Sequence, residues 1–588
     1  MINIFQKFKE IFSIVILQIA KENNVEISNK DLENFTIEAV KDKNHGDLAC
    51  NAAMVLIKKF SQNSNLNNPR KLAQEIIKKI SDKNITKLEI AGSGFINISL
   101  NNQIFYDLIV QINREEFQFP NLGKGEKVNL EYASPNPTGP IHVGHTRGAI
   151  YGDVLANLLK KCGFDVLKEY YINDAGAQII TLLKSAFIRY KQALNIDCEI
   201  AEGLYPGQYL IEVGQQLKEK YQDKLILKNE EEVLTEIRDF VVEQMVELIK
   251  SDLLALGIKH DSYFSEKKEL HDKNKIEKAV NFLKEKGLIY EGKLEVPKTE
   301  KGVGALPEGY SSEDQTLFKS TLFGDDQDRV VKKSDGSYTY FGADLAYILS
   351  KFERGATKFI MPLGYDHAGY VKRLTAAVEA LTNKEAQLKI ILCQMVKFVK
   401  NGEPLKMSKR AGNFITAREV IDEVGADALR FIMLTRKNDA HFDFDLEKVI
   451  EASKDNPIFY VQYSHARCCS ALRQAKEIAN FDLIKIPDLS LLNDESEIEI
   501  IKKIAAFPKI IEAAAINFEP HRIAFYLQEL ASLLHALWNK GMENPNLKFV
   551  IKEDLQITNS RLYLLEAFKK IIATGLDIFN IKALEQMK

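Results

Sequence analysis

The chain has little of what disulfide-rich, zinc-binding or membrane proteins need. It contains 6 cysteines, and none of them forms a C-x-x-C pair, so the sequence predicts neither a zinc knuckle nor a disulfide framework. The apolar stretch FKEIFSIVILQIAKENN is interrupted by Ser13 and Gln18, and no segment approaches membrane-spanning length. We expect an amphipathic first helix, a reducing cytoplasmic location and no membrane partner.

Net charge is also small. The formal net charge is −3 at pH 7 over 588 residues, which gives the molecule as a whole no signal for binding a polyanion. Residues 454–588 contain equal numbers of acidic and basic side chains, so this end of the chain is neutral too. Any contact with nucleic acid must therefore come from a local patch.

The patterning of the chain changes twice, which predicts an α/β protein of three domains. Residues 1–110 predict a small α+β domain with a strand pair folded about Gly92 and Gly94. In 111–453, a buried strand at 127–134, a helix ending at Gly163 and a second strand form a β-α-β unit. This predicts a Rossmann-like parallel sheet, with a largely helical insertion at about 185–335. Residues 454–588 carry apolar residues at spacings of three and four and predict an all-α domain.

The stretch SPNPTGPIHVGH concentrates proline and histidine. Pro135, Pro137 and Pro140 restrict the backbone, so a ligand would meet an ordered loop. His142 and His145 follow at i and i+3, which predicts that they share one face of the first helical turn. A helix N-terminus at the carboxyl end of a parallel strand binds anions, and two histidines there can donate hydrogen bonds to a phosphate. The alternative is a capped helix with two surface histidines.

A second stretch, NGEPLKMSKRAGN, holds Lys406 and Lys409 in a loop between Gly402 and Gly412. Two ammonium groups on such a loop can close over a triphosphate and neutralise the departing pyrophosphate. Taken alone, the stretch fits a solvated basic loop equally well. Together with the two histidines it predicts an ATP-activation site.

HVGH and KMSKR resemble the two signatures of class I aminoacyl-tRNA synthetases, and GADALRFIML resembles the segment that follows the second one. Arg410 stands where the class pattern has serine, so the resemblance extends catalytic roles to His142, His145, Lys406 and Lys409 alone. LEYASPNPTGPIHVGH, YINDAGAQI, YFGADLAY, NPIFYVQYSHAR, HGDLACNAAM and GSGFIN resemble arginyl-tRNA synthetases more narrowly and span essentially the whole chain, with FNIKALEQMK a looser match.

The resemblance implies an arginine–tRNA ligase. Such an enzyme converts arginine and ATP to arginyl-AMP and pyrophosphate, and then transfers arginine to the 3′-terminal ribose of tRNA(Arg). The resemblance also implies that the all-α domain binds the anticodon and that Mg²⁺ accompanies ATP as substrate. We expect no protein-bound metal, zinc included, and we expect a monomer.

The resemblance implies that arginine binds four residues, the first two at its amino-acid end: Glu131, Asn136, Tyr340 and Asp344. A planar guanidinium with five donors suits rigid carboxylates, so we assign Asp344 and Tyr340 to it. On sequence alone, Asp344 is also an ordinary acid near a helix N-terminus, and Glu131 an ordinary solvent-facing strand residue. We expect ATP to contact six residues: Thr138, Gly144, Gly364, Asp366, Met407 and Ser408. Asp366 is equally well explained as a turn aspartate.

Contacts with RNA are predicted at two places. The resemblance implies that Phe95 and Asn97 meet the D-loop of the tRNA, whereas without it Phe95 would be placed in the core. Tyr460, Tyr463 and Arg467 fall on one helix face, where aromatic rings beside an arginine can stack on unpaired anticodon bases. The alternative for that face is core packing.

Two other functions stay open. An enzyme of the same class could be specific for lysine or cysteine, although a lysine ammonium has no planar fork to match and no cysteine spacing supports a zinc–thiolate pocket. A catalytically silent relative could bind RNA as a regulator, although such a protein would be free to lose the histidines and lysines of the two signatures.

Overall fold

The computed structural model describes residues 3–40, 42–61, 66–294, 298–299, 302–303, 309–400, 402–404, 415–451, 456–479 and 481–587. The first region is an α+β domain, with the helices α1 (Ile4–Glu22), α2 (Asn29–Glu33), α3 (Ala52–Phe60), α4 (Pro69–Lys79) and α5 (Gln103–Arg114) and the strands β1 (Ile37–Ala39), β2 (Leu48–Cys50), β3 (Ile85–Ala91) and β4 (Phe95–Leu100). The sheet is antiparallel in the order β1-β2-β4-β3. The β3–β4 hairpin turns at Gly92 and Gly94, whose φ angles are +52° and +149°.

The middle region starts with the strands β5 (Lys127–Glu131), β6 (Asp165–Ile172), β7 (Ser262–Ser265), β8 (Ile289–Gly292), β9 (Lys298–Thr299), β10 (Gly302–Val303), β11 (Gln315–Phe318) and β12 (Arg329–Lys332) and the helices α6 (Thr146–Lys161), α7 (Ala177–Ala193), α8 (Tyr209–Tyr221), α9 (Glu230–Ala255) and α10 (Lys275–Glu285). It continues with α11 (Tyr340–Glu353), α12 (Val371–Leu381), α13 (Ala417–Val424), α14 (Ala426–Ile432), α15 (Leu446–Ile450), β13 (Lys358–Gly364), β14 (Gln387–Cys393), β15 (Val396–Lys400), β16 (Glu403–Pro404) and β17 (Phe442–Asp445).

A five-stranded parallel sheet in the order β14-β13-β5-β6-β7 forms the centre of this region. One apolar cluster packs α6 and α9 on the sheet and continues into both end domains, while a second lies among α10, α11, α12 and β13. Helices therefore cover both faces, as a parallel sheet requires. The predicted β-α-β unit is present as β5, α6 and β6.

The interval 185–335 differs from the largely helical insertion that the sequence predicts. It contains α8, α9 and α10, but β7 is an edge strand of the central sheet, and β8, β11 and β12 form a separate antiparallel sheet. These strands are four residues long and lie in a Lys/Glu-rich stretch, so their periodicity is too short to stand out. The segment 387–400 is divided into two strands, β14 and β15, which belong to different sheets.

The last region is helical, with α16 (Pro457–Ala479), α17 (Glu495–Ala505), α18 (Phe507–Asn517), α19 (His521–Glu543) and α20 (Leu555–Ile578). This region forms hydrogen bonds and an ion pair with α6 at several positions along that helix. The Tyr151 hydroxyl donates to the carbonyl of Phe518, and the Asn157 amide donates to the carbonyl of Ile578 over 3.3 Å. Further along, Lys161 pairs with Asp577 at 2.5 Å.

A buried guanidinium strengthens the same junction. Arg430 in α14 pairs with Asp153 of α6 at 2.5 Å and donates to the carbonyls of Leu256 and Phe579 over 2.9 and 2.6 Å. The helix that follows HVGH is therefore held by the helical domain as well as by the sheet. In the part of the chain that the structure describes, we find no helix with the length and apolar character needed to span a bilayer.

Candidate active site

A cleft with a cavity of about 390 Å³ opens at the carboxyl ends of β5, β6, β13 and β14. This edge is where open parallel sheets bind ligands, because the loops and helix N-termini converge there. Seven of the residues predicted from the sequence line it: Glu131, Asn136, His142, Gly144, His145, Gly364 and Asp366. Thr138 does not line the cavity; it is buried, and its carbonyl accepts a hydrogen bond from Tyr209 over 2.6 Å.

His142 and His145 are held by the short 3₁₀ turn Val143–His145 that precedes α6. His142 caps this turn, because its Nδ1 accepts a hydrogen bond from the backbone N–H of Gly144 over 2.9 Å. The neutral ring therefore carries its proton on Nε2, the nitrogen that can donate to a ligand. The two ring centres are 5.9 Å apart. A side chain at Gly144 would begin 2.9 Å from His142 Nδ1, so glycine is required here by the histidine itself.

The segment that follows the second signature is attached to the first. His142 and Thr416 form an antiparallel β-bridge, in which Val143 donates to the Ile415 carbonyl over 3.1 Å and Ala417 donates to the Ile141 carbonyl over 2.8 Å. Four of the predicted residues lie outside the described residues: Lys406, Met407, Ser408 and Lys409. On the carboxyl side of these four residues, the described part of the chain therefore begins next to the histidine turn.

Glu131 ends β5 and points into a charged interior. It is 8% exposed, and its Oε2 accepts a hydrogen bond from Lys351 Nζ over 2.6 Å. The interpretation of Glu131 as a solvent-facing strand residue is therefore wrong. Asn136, on the proline-rich loop, donates to the side-chain oxygen of Gln178 over 2.8 Å, which fixes its amide at the rim of the cleft.

Asp344 lies in the second turn of α11, and Thr339 caps that helix through a hydrogen bond from the Gly342 N–H. The helix N-terminus thus has its own cap and does not account for the acid. Burial of the carboxyl raises the pKa of Asp344 to about 7, and repulsion by Glu131 and Glu266 adds to this effect. Tyr340, one turn earlier, is 69% exposed. An enclosed carboxyl among other acids favours a cationic ligand.

Tyr340 and Asp344 do not line the cavity; Asp344 lies in the charged interior near Glu131, which does. Sequence reasoning missed three residues around Asp344. Glu266 is buried beside Asp344, with its Oε1 3.1 Å from His271 Nε2. Nothing in its Lys/Glu-rich surroundings distinguishes it. Lys351 and Tyr347 follow Asp344 on α11 at intervals of seven and three residues, which places all three on one helix face. This spacing could therefore have indicated from the sequence that Tyr347 and Lys351 lie near Asp344.

The nucleotide side of the cleft is more open. The Asp366 side chain is 71% exposed, and its Oδ2 lies 3.6 Å from His367 Nε2. A Cβ at Gly364 would fall 2.3 Å from Asp366 Oδ1, so the turn leaves room there for glycine alone unless the aspartate moves. The turn interpretation of Asp366 describes this geometry equally well.

The predicted RNA contacts lie outside the cleft. Phe95 is 41% exposed on β4, so it is not a core residue, whereas Asn97 on the same strand is largely buried. In the helical domain, the Arg467 guanidinium lies between two rings, 4.4 Å from the centre of Tyr463 and 5.0 Å from that of Trp538. It also contacts His535 at 3.2 Å, and His535 packs on Tyr460. Tyr460, Tyr463 and Arg467 therefore form a half-buried stack that combines core packing with partial exposure.

Comparisons with known proteins match these three regions in turn. Family models for the arginyl tRNA synthetase N terminal domain, the class I (R) tRNA synthetase catalytic domain and the DALR anticodon binding domain match residues 6–100, 108–471 and 461–587. The arginine–tRNA ligase of Parvibaculum lavamentivorans is 46% identical over 594 residues and is covered fully, as is this chain. The chain belongs to the arginyl-tRNA synthetase family.

Other relatives agree with this assignment. The arginine–tRNA ligase of Wolbachia pipientis wMel is 47% identical over 584 residues, or 99% of each chain. The fold matches that of the Thermus thermophilus arginyl-tRNA synthetase with a TM-score of 0.71 at 19% identity, over 99% of this chain and 100% of that one. The chain is thus a class I ligase that joins arginine to tRNA and uses ATP as a substrate.

Proposed function

We propose that the cleft activates arginine in two adjoining halves. Glu131 and Asn136 hold the amino-acid end, and Tyr340 and Asp344 hold the guanidinium, with Glu266 as a further acid. The observation that carries this proposal is the enclosed carboxyl of Asp344, whose pKa is raised by burial and by two neighbouring acids. A permanently charged guanidinium would relieve that repulsion and restore the ionised form.

On the nucleotide side, the arginine carboxylate attacks the α-phosphorus of ATP in line, and pyrophosphate leaves. His142 and His145 donate hydrogen bonds to the α-phosphoryl oxygens, which gain charge in the transition state. Lys406 and Lys409 hold the departing phosphates. Five residues contact the rest of the nucleotide: Gly144, Gly364, Asp366, Met407 and Ser408. Little covalent chemistry is asked of the protein, so positioning and electrostatics carry the step.

Mg²⁺ enters with ATP, coordinated by the nucleotide's phosphates. Among the described residues, no group of three or more histidine, cysteine or acidic side chains is arranged to hold an ion. For the tRNA, Phe95 stacks on the D-loop and Asn97 hydrogen-bonds to it, while Tyr460, Tyr463 and Arg467 contact anticodon bases. We further propose a cytoplasmic monomer with domain boundaries at residues 110 and 453.

The assignment is tested by arginine-dependent exchange of labelled pyrophosphate into ATP, with and without cognate tRNA, against a panel of other amino acids. Among the amino acids of the panel, we expect only arginine to support exchange. In Asp344→Asn we expect the KM for arginine to rise by about 10- to 100-fold, because a charged hydrogen bond is lost. The KM for ATP is the internal control and should stay within about twofold. Unchanged arginine affinity in Asp344→Asn would contradict the assigned pocket.

A further inference from the structure

A buried cation lies beside two of the acids proposed to bind arginine. Lys351 is 2% exposed, and its Nζ is 2.6 Å from Glu131 Oε2 and 4.1 Å from the ring centre of Tyr347. An ammonium group close to a guanidinium repels it, and the repulsion is strong where water is excluded. If this charge repulsion alone decided arginine binding, an apolar residue would be favoured at position 351. The presence of a lysine there therefore needs another explanation.

The neighbouring acids indicate what that explanation is. Glu169 is engaged by Arg354 over 2.5 and 2.9 Å and by the hydroxyl of Tyr347 over 2.8 Å. Among the described residues, Glu131 pairs with Lys351 and with no arginine. Breaking a buried ion pair leaves an uncompensated charge, so Lys351 both compensates the charge of Glu131 and fixes the orientation of its carboxylate.

Resting on the arginine site proposed above, we propose that Lys351 is a positioning residue for arginine. It fixes Oε2 of Glu131, so that this carboxylate is presented to the α-ammonium in one orientation. It also offsets the negative charge that Glu131 exerts on Asp344, which keeps Asp344 available to the guanidinium as a carboxylate. Lys351 thus strengthens the binding of a ligand that it repels directly.

The charges around Asp344 support this role. Glu131 on β5 and Glu266 beside β7 raise the pKa of Asp344, after burial, whereas Arg373 on α12 and Lys351 on its own helix oppose them. The pKa of about 7 is therefore set first by burial and then by the balance between two acids and two cations from four elements. Removing one cation shifts that balance toward the protonated acid at neutral pH.

The test compares Lys351→Met with Lys351→Arg in the full chain, using pyrophosphate exchange with cognate tRNA between about pH 6 and pH 9. For Lys351→Met we expect the KM for arginine to rise about 10-fold or more, with the acidic limb of kcat/KM displaced to higher pH. The KM for ATP should not change. Lys351→Arg restores the ion pair and should recover most of the arginine affinity.

Lys358→Met is the matched control. Lys358 pairs with Glu126 at 2.8 Å at the other end of the same sheet, so loss of this pair should leave arginine affinity unchanged. Lys351→Met combined with Glu131→Gln removes the orphaned charge and supplies a folded variant if the single change unfolds; we expect it to bind arginine weakly as well. A Lys351→Met or double variant that binds arginine as tightly as the parent, or more tightly, would overturn the proposal.

The experiments distinguish failure of the proposed arginine site from failure of the role proposed for Lys351. If Asp344→Asn weakens arginine binding while Lys351→Met does not, the arginine site stands and the role of Lys351 falls. If Asp344→Asn itself binds arginine normally, the site is assigned wrongly and Lys351 loses its role with it. An equal loss for arginine and ATP in Lys351→Met would indicate general structural damage and would also overturn the positioning role.

Discussion

The two halves of the cleft are built differently. On the amino-acid side, Glu131 and Lys351 are buried and paired, and Asp344 is enclosed among further charges. On the nucleotide side, Asp366 is mostly exposed, and the two histidines lie on a short turn at the start of α6. The charged residues of the first half belong to the protein core, although Asn136 and Tyr340 lie at its edge, and the second half is a rim of loops and helix ends.

This difference agrees with the ligand proposed for each half. A guanidinium is planar and permanently charged, so it is selected by carboxylates whose positions are fixed before binding. The phosphates of ATP are recognised by donors that a helix N-terminus and short turns supply without deep burial. We therefore expect changes in the amino-acid half to act through the KM for arginine, and changes in the nucleotide half to act through ATP and the activation rate.

The largest expected effect separates the halves most clearly. Replacing His145 by alanine should lower the rate of arginyl-adenylate formation by about 100- to 1,000-fold, the usual cost of a donor lost from a developing anion. The KM for arginine should change by less than about twofold. The measurement is single-turnover activation with saturating arginine and tRNA. His441→Ala, at an exposed histidine away from the cleft lining, is the control. An unchanged rate would remove His145 from the catalytic residues.

The pH dependence of arginine binding comes next in size. Because the Asp344 pKa is raised to about 7, and because the carboxylate is the form that binds a guanidinium, kcat/KM for arginine should fall below that pH. The expected slope is about tenfold per pH unit. Asp344→Asn should remove this limb and leave a lower, flatter profile. A wild-type profile that stays level down to about pH 5 would mean that Asp344 is ionised throughout this range. Burial and the neighbouring acids would then raise its pKa by less than the geometry implies.

The same carboxyl predicts an effect on stability of opposite sign to its effect on activity. The folded state raises the pKa of Asp344 above its ordinary value of 3.8, so the native protein binds the extra proton between that value and about 7. The contribution of Asp344 to the free energy of unfolding therefore falls as pH rises through that window. Asp344→Asn should melt at a higher temperature than the parent at about pH 8, and the difference should shrink toward about pH 4. Equal melting temperatures at both values would show that the folded protein does not penalise this charge.

The sequence predicted the nucleotide half more readily than the amino-acid half. His142 and His145 are neighbours in the chain, so a local pattern carries their geometry. Glu131 and Lys351 are 220 positions apart and meet only because β5 and α11 pack together. The helical stripe from Asp344 to Lys351 could be read from spacing, but the acid that Lys351 binds could not.

Short elements mark a second limit. Glu266 follows β7, a four-residue edge strand within a stretch whose composition predicts helix. No local pattern distinguishes a buried acid near Asp344 from the many acids that face solvent. The helical regions were predictable because their apolar periodicity extends over ten residues or more, and the parallel sheet was predictable because β5 and β6 flank the long helix α6 in one β-α-β unit.

The smallest expected effect tests whether the nucleotide half is as tolerant as its exposure implies. Asp366→Ala should raise the KM for ATP by about two- to fivefold and leave the KM for arginine unchanged, because an exposed carboxylate contributes on the order of 1 kcal/mol or less. Steady-state exchange at varied ATP measures it, with Asp366→Asn separating the charge from the hydrogen bond. A loss of 100-fold or more would mean that the open geometry closes around the nucleotide. The contrast between a core-built half and a rim-built half would then describe the ligand-free cleft alone.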